Sequence, residues 1–377
     1  MARASWLLVG LCVFVATSAA GLYLSRHAID QPDPDQFVHQ VLQSARRFVE
    51  SARYSDAIRV LHQVSDESAG AAEANLLAGI AYWKLNRWDA AEAAWKRALQ
   101  IDPAVPEAAW HLLSFFFVQQ RWQEAEELAL DAYGHEPDPR DRTLLLLELV
   151  REDTERFQLE STVKALEPVV AFEPTNYHAL RALGLSYGML QRPKEGVTLI
   201  ERAIAQRPEE SEAWFSLVSC LYETGQMESL EQVWKRIPSA VLEEPRFQRY
   251  RGMWAEATAD PVEAERAYRA VLEKDPADRK AHYQLARLLR GHGANQEAIE
   301  HENQAQRLDD AREQLALCYL KATQQRDRPS QELCHQFSDL CRILGRTKQA
   351  ELWEQEALAR SAGTGNGTMN RPARTLP

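Results

Sequence analysis

From Gln36 onward the apolar positions of the chain recur at three- and four-residue spacing, and the polar breaks between them are short. That period marks amphipathic helices, and no alternation long enough to predict a strand appears. The expected class is therefore all-α. The stretch GIAYWKLNRWDAAEAAWKRALQIDP, residues 79–103, predicts two helices joined by a polar corner, and its outline returns about every 34 residues. Gly79, Tyr82, Ala91, Trp95, Ala98 and Pro103 align with Leu113, Phe116, Ala125, Ala129, Ala132 and Pro137. They align again with Gly184, Tyr187, Gly196, Ile200, Ala203 and Pro208, and in part with Gly252, Ala264, Tyr268, Val271 and Pro276.

Each position has a physical reason. A small residue at Gly79 or Gly184 lets the first helix approach the second, and the aromatic at Tyr82 or Tyr187 fills the space beside it. Proline after the second helix cannot continue it and resets the chain. One pair cannot bury its apolar face alone, so copies must stack.

These residues resemble the tetratricopeptide repeat, whose pattern runs W-x2-L-G-x2-Y, then A-x3-F, then a closing proline. Trp214 and Leu217 supply its opening most literally. The resemblance implies a right-handed α-solenoid of about eight to nine repeats. The register is 38–71, 72–105, 106–139, 143–176, 177–210, 211–244, 245–278 and 279–312, with Arg140, Asp141 and Arg142 inserted after the third copy. The fourth copy departs most, carrying Val150, Asp153 and Thr162 at signature positions. Residues 313–360 are expected to add one extra helix, Ala311 to Arg326, and a capping pair, Gln331 to Arg360. The Gly-, Thr- and Asn-rich residues 361–377 are expected to be a disordered tail.

The first 28 residues stand apart: Arg3 precedes a nearly unbroken apolar run from Trp6 to Leu24, closed by Arg26 and followed by a linker over 29–37. As a helix the run would reach about 28 Å, against a hydrocarbon core of roughly 30 Å. One reading is an uncleaved signal anchor, a single transmembrane helix; the other is a signal peptide cleaved after Ser18, Ala19 and Ala20, leaving a secreted body. Asp30, Asp33 and Asp35 after the run favour an extracytoplasmic, periplasmic or lumenal, body.

Composition adds little beyond solubility: 45% hydrophobic, 26% charged and a formal net charge of −11, which gives a nucleic-acid partner no electrostatic help. Catalytic motifs fail on context. GLSYG, residues 184–188, matches a nucleophile elbow by letter, but Gly184 and Tyr187 are repeat packing residues and Ser186 falls mid-helix. GTGNG, residues 363–367, lies in the tail with no strand beside it. The ten histidines are scattered, with no H-E-x-x-H and no C-x-x-C, so neither a metal nor any cofactor is expected. Cys334 and Cys341 are too far apart on one helix to bond each other; Cys318 facing Cys341 is one reading, buried thiols the other.

What remains is a surface. By the register of the resemblance, the concave-facing positions hold Leu76, Ile80, Trp83, Trp110 and Phe117, then Phe215 and Tyr222. Farther along they hold Arg181, Arg246, Arg249, Lys280, Tyr283, Arg287 and Arg290. The expected function is a non-catalytic, membrane-tethered module that captures a segment of a partner protein, apolar part on the aromatics and acidic part on the cations. No nucleic acid or small-molecule substrate is expected. The alternative is a scaffold acting through its convex face or self-association, with an enzyme a distant third.

Overall fold

The computed structural model describes residues 34–154, 159–325 and 329–361, and among these it contains nineteen helices and no strand. Successive antiparallel pairs are α1 (Pro34–Glu50) with α2 (Tyr54–Leu61), α3 (Ala71–Lys84) with α4 (Trp88–Ile101), and α5 (Pro106–Val118) with α6 (Trp122–His135). Two helices follow, α7 (Pro139–Thr154) and α8 (Leu159–Phe172). Pairing resumes with α9 (Tyr177–Met189) and α10 (Pro193–Gln206), then α11 (Ser211–Glu223) and α12 (Met227–Trp234). The short α13 (Ser239–Leu242) leads to α14 (Pro245–Ala257) with α15 (Pro261–Lys274), α16 (Arg279–Gly291) with α17 (Asn295–Gln324), and α18 (Gln331–Ile343) with α19 (Thr347–Ser361).

The period has a backbone cause. Each corner between paired helices holds one residue in the left-handed region: Ala52, Asn86 and Gln120, spaced by 34, and later Gln191, Gly225, Ala259 and Gly293, again spaced by 34. Gly345 repeats the device in the last pair. Two residues into the corner the chain closes a Schellman bond back to the first helix: Arg53 N–H to Phe48 O, Arg87 to Tyr82, Arg121 to Phe116 and Arg192 to Tyr187, at 2.8–2.9 Å. In these four corners the same arginine lies over the same aromatic ring, 4.1–4.8 Å from its centroid. Sequence period, turn geometry and cation–π contact thus coincide at one place in each copy.

Close helix approach is visible at the small positions. A Cβ on Gly79 would meet the Trp95 ring at 2.4 Å, one on Gly184 the Ile200 side chain at 2.6 Å, and one on Gly252 the Tyr268 ring at 2.6 Å. Trp95, Ile200 and Tyr268 are wholly buried as a result. Those three contacts recur at one repeat position because the apolar faces share one register.

The array breaks at the fourth copy. α7 packs on α6 along one side, and its other neighbours are α17 and α19 from the far end of the chain. α8 packs instead on α9 and α5. The run Leu144 to Leu147, with Leu149 and Val150, is buried on every face, as a helix enclosed on all sides requires. The solenoid therefore folds back on itself, with its C-terminal helices seated on α7 and bonded to the end of the third repeat through Tyr133 and Glu126.

One expectation changes, and one pair of alternatives is decided. The separate helix expected over Ala311–Arg326 is the second half of the 30-residue α17, because Leu308, Asp309 and Asp310 contain no breaker. Cys318 and Cys341 are buried thiols that are not joined in a disulfide; each Sγ faces a glutamine, Gln336 at 3.6 Å and Gln349 at 4.0 Å. The apolar N-terminal segment and residues 362–377 lie outside the described residues. Among the described residues no helix is long and apolar enough to cross a membrane.

Candidate partner-binding groove

The first helices of the later repeats and the middle of α17 enclose a cleft of about 630 Å³. Its apolar floor includes Leu185, Met189, Phe215 and Tyr250, with Trp122 entering from the start of α6. Trp122 and Met189 are each 37% exposed, unusual for large apolar side chains in this molecule. Gly188 also lines the cleft; a Cβ there would strike Cys220 Sγ at 2.5 Å, and burial pushes that thiol up to about 11. Phe215 stands edge-on to Tyr250 at 5.3 Å and to Phe247 at 5.9 Å, which holds it upright in the floor.

Charge lines the rim in compensated pairs. Arg249 donates to Asp278 at 2.8 Å, and Asp278 also caps α16 through the Ala281 N–H at 2.9 Å. Arg279 pairs with Asp309 at 3.0 Å and Lys280 with Glu223 at 3.4 Å. Along α16, Lys280, Tyr283, Arg287 and Arg290 share one face by their three- and four-residue spacing. All four are more than half exposed or at its edge, Tyr283 at 57%. Arg287 meets Glu256 and Arg290 meets Glu302.

Other expected groove residues are not among those lining this cleft, though Phe117 and Tyr222 abut it. Leu76 and Trp110 are buried in the core. Trp83 is half-buried against Trp95 at 5.5 Å and the His111 ring at 6.0 Å, and Ile80 packs against the same core. Phe117 rests on Trp122 at 5.9 Å and Tyr222 on Tyr250 at 6.2 Å, both half-buried. Arg181 is corrected outright: only 3% of it is exposed, and it donates to the carbonyls of Gln119 (2.8 Å) and Gln120 (3.1 Å) at the end of α5. The break at the fourth copy brings α9 under that helix end, so a cation read as groove-facing becomes a buried cap. The Arg246 side chain lies outside the described part of the structure. Ser186 is wholly buried in mid-helix, where it donates to Ala182 O and accepts from the Gln120 amide.

Trp122, Met189 and the α17 residue Arg312 line the cleft but fall outside the sequence expectation. Trp122 was hidden by its own periodicity. The equivalent residue one repeat earlier, Trp88, is 3% exposed, its end of α4 covered by the segment that brings Glu173 to its N–H at 3.3 Å.

Tetratricopeptide-repeat family models match residues 48–114, 176–229 and 255–317. The chain thus carries tetratricopeptide repeats, a fold typical of protein–protein interaction modules and generally non-catalytic. No curated protein matches the chain. Solved structures similar to it include the 41-end form of MamA from Desulfovibrio magneticus RS-1, at 17% identity, covering 45% of this chain and 95% of that one, with a TM-score of 0.35. A tetratricopeptide repeat protein from Parabacteroides merdae aligns at 14% identity over 67% of this chain and 100% of its own, with a TM-score of 0.39. A human IFIT1 dimer with PPP-AAAA aligns at 14% identity, covering 72% and 73%, with a TM-score of 0.32.

Proposed function

We propose that this protein binds a segment of a partner protein along its concave face, apolar side chains entering the cleft over Trp122, Met189 and Phe215 and acidic ones meeting Lys280, Arg287 and Arg290. The observation that carries the reading is the continuity of an open apolar floor with an exposed basic stripe through Lys280, which belongs to both. Lys280 and Arg290 are held by exposed ion pairs, worth roughly 0–1 kcal/mol each, whereas Arg287 meets a Glu256 that is only 16% exposed and also accepts from Tyr268. A ligand carboxylate can exchange for Glu223 or Glu302 at little cost. Arg249 differs: its pair with Asp278 is half-buried, so its role is to hold the rim.

The module is proposed to be tethered to a membrane by the apolar run of residues 6–24, with an extracytoplasmic body, on the strength of that run's length and the flanking charges. A photo-crosslinking residue replacing Tyr283, in full-length protein in its native cells, tests the groove reading. One replacing the exposed Val262 serves as control. One adduct specific to position 283 supports it; identical adducts at both positions, or none, reject it.

A further inference from the structure

α16 and α17 are joined by an unusual contact inside the eighth repeat. His282 Nδ1 and His301 Nδ1 lie 2.8 Å apart, with ring centroids 5.0 Å apart. His282 Nε2 lies 3.0 Å from Pro276 O. A carbonyl only accepts, so His282 carries its proton on Nε2 and presents a bare Nδ1. His301 must then donate from its own Nδ1, and its Nε2 is the one site left for a first added proton. That nitrogen lies 4.0 Å from Glu297 Oε1, which offsets part of the burial and of the His282 neighbour that hold His301's ionisation down. A second proton has only His282 Nδ1 to take, and two N–H groups would then point at each other across 2.8 Å.

The surroundings do not relieve this conflict. From α15, Arg269 reaches Glu297 at 2.7 Å and Glu265 at 2.9 Å, adding a cation beside the pair. From α17, Glu297 and Glu300 oppose it, while burial and His282 together depress the ionisation of His301. From the turn before α16, Asp278 is committed to Arg249 and to the helix cap. His282 itself is buried.

We propose that His282 and His301 form a single-proton clasp between α16 and α17, which parts when acid forces a second proton onto it. α17 supplies Arg312 to the cleft and packs on α7, so release loosens one wall of the groove and the fold-back contact together. The sign follows from the refused proton. The closed pair has no free nitrogen for a second proton that the unfolded chain can take, so stability is lost as the pH falls.

The test compares full-length wild type with His301→Asn. The asparagine Nδ2 replaces the imidazole donor toward neutral His282, and its amide can turn to offer an oxygen to charged His282. Between pH 7.5 and 5 the unfolding constant of the wild type is expected to rise about tenfold more than that of the variant. Other buried histidines contribute equally to both proteins and cancel. Equal rises in the two would overturn the clasp. If the variant does not fold at pH 7.5, imidazole nitrogen NMR of the wild type decides. One proton taken up by the pair down to pH 5 upholds it, and two independent titrations overturn it.

Discussion

Tyr133 and Glu356, 223 positions apart, share a hydrogen bond of 2.8 Å in which the phenol donates to a carboxylate only 2% exposed. The same carboxylate accepts from Thr143 Oγ1 at 3.1 Å and is paired with Arg360, while Arg142 approaches at 3.6 Å. Arg360 also donates to Thr143 at 3.0 Å, and Gln349 donates to Glu126 at 2.9 Å. This cluster fastens the last helix to the third repeat and closes the chain on itself.

Breaking the cluster from either side should separate two magnitudes. Tyr133→Phe removes one donor and is expected to cost about 1–2 kcal/mol. Glu356→Ala leaves Arg360 with no carboxylate partner in a part-buried site and is expected to cost about 3 kcal/mol. Urea unfolding of each variant measures the difference. Equal, negligible effects would mean that the apolar contacts of α7 alone hold the closure.

The corners make a prediction of opposite signs at equivalent positions. Ala259 has φ 60° and is exposed, whereas Gly225 has φ 70° one repeat earlier with nothing near its would-be Cβ. A left-handed conformation costs an ordinary L-residue roughly 1–2 kcal/mol. Ala259→Gly should therefore raise stability by about 0.5–1 kcal/mol and Gly225→Ala lower it by a similar amount. Shifts of the same sign in thermal melting would show that packing, not backbone strain, governs the corners.

The repeat was legible because its causes are local. Gly79 and Trp95, or Gly184 and Ile200, meet within one helix pair, and the 34-residue period carries that contact along the chain. Corner chemistry was only half visible, since Gly225 and Gly293 advertise a left-handed residue but Ala52, Gln120 and Ala259 do not. The fold-back was invisible to period alone because it joins residues as distant as Tyr133 and Glu356. Its one local trace was LLLLELV in α7, apolar all round where an ordinary first helix has a wet face. The misplacement of Arg181 follows from the same cause: register predicts a groove only while the array is unbroken.

Acid should weaken the fold in two windows. Burial favours neutral Glu92, but hydrogen bonds and charge from Arg121, with Lys96, outweigh it and hold the carboxyl at about 2. Its contribution is present above pH 4.5 and lost as pH falls from there toward 2. Burial lowers His111 to about 4 and, helped by Arg121 and Arg181, His178 to about 3. Their contribution is present above 6.5 and lost as the pH falls below it. Each group costs up to about 1.4 kcal/mol per pH unit within its window. Denaturant midpoints should fall steadily from pH 7 to 4, and Glu92→Gln should flatten only the part below 4.5. A flat profile between pH 7 and 5 would contradict the assignment.

The most direct measurement is recovery of partner proteins by the full-length chain from its native membranes, wild type beside Arg287→Glu with Arg290→Glu. Arg266→Glu, an exposed cation on α15 paired with Glu263, serves as a charge control away from the stripe. The groove account predicts one protein recovered by the wild type and by the control and lost with the double variant. The same set recovered by all three chains would contradict it and leave the convex face as the working surface.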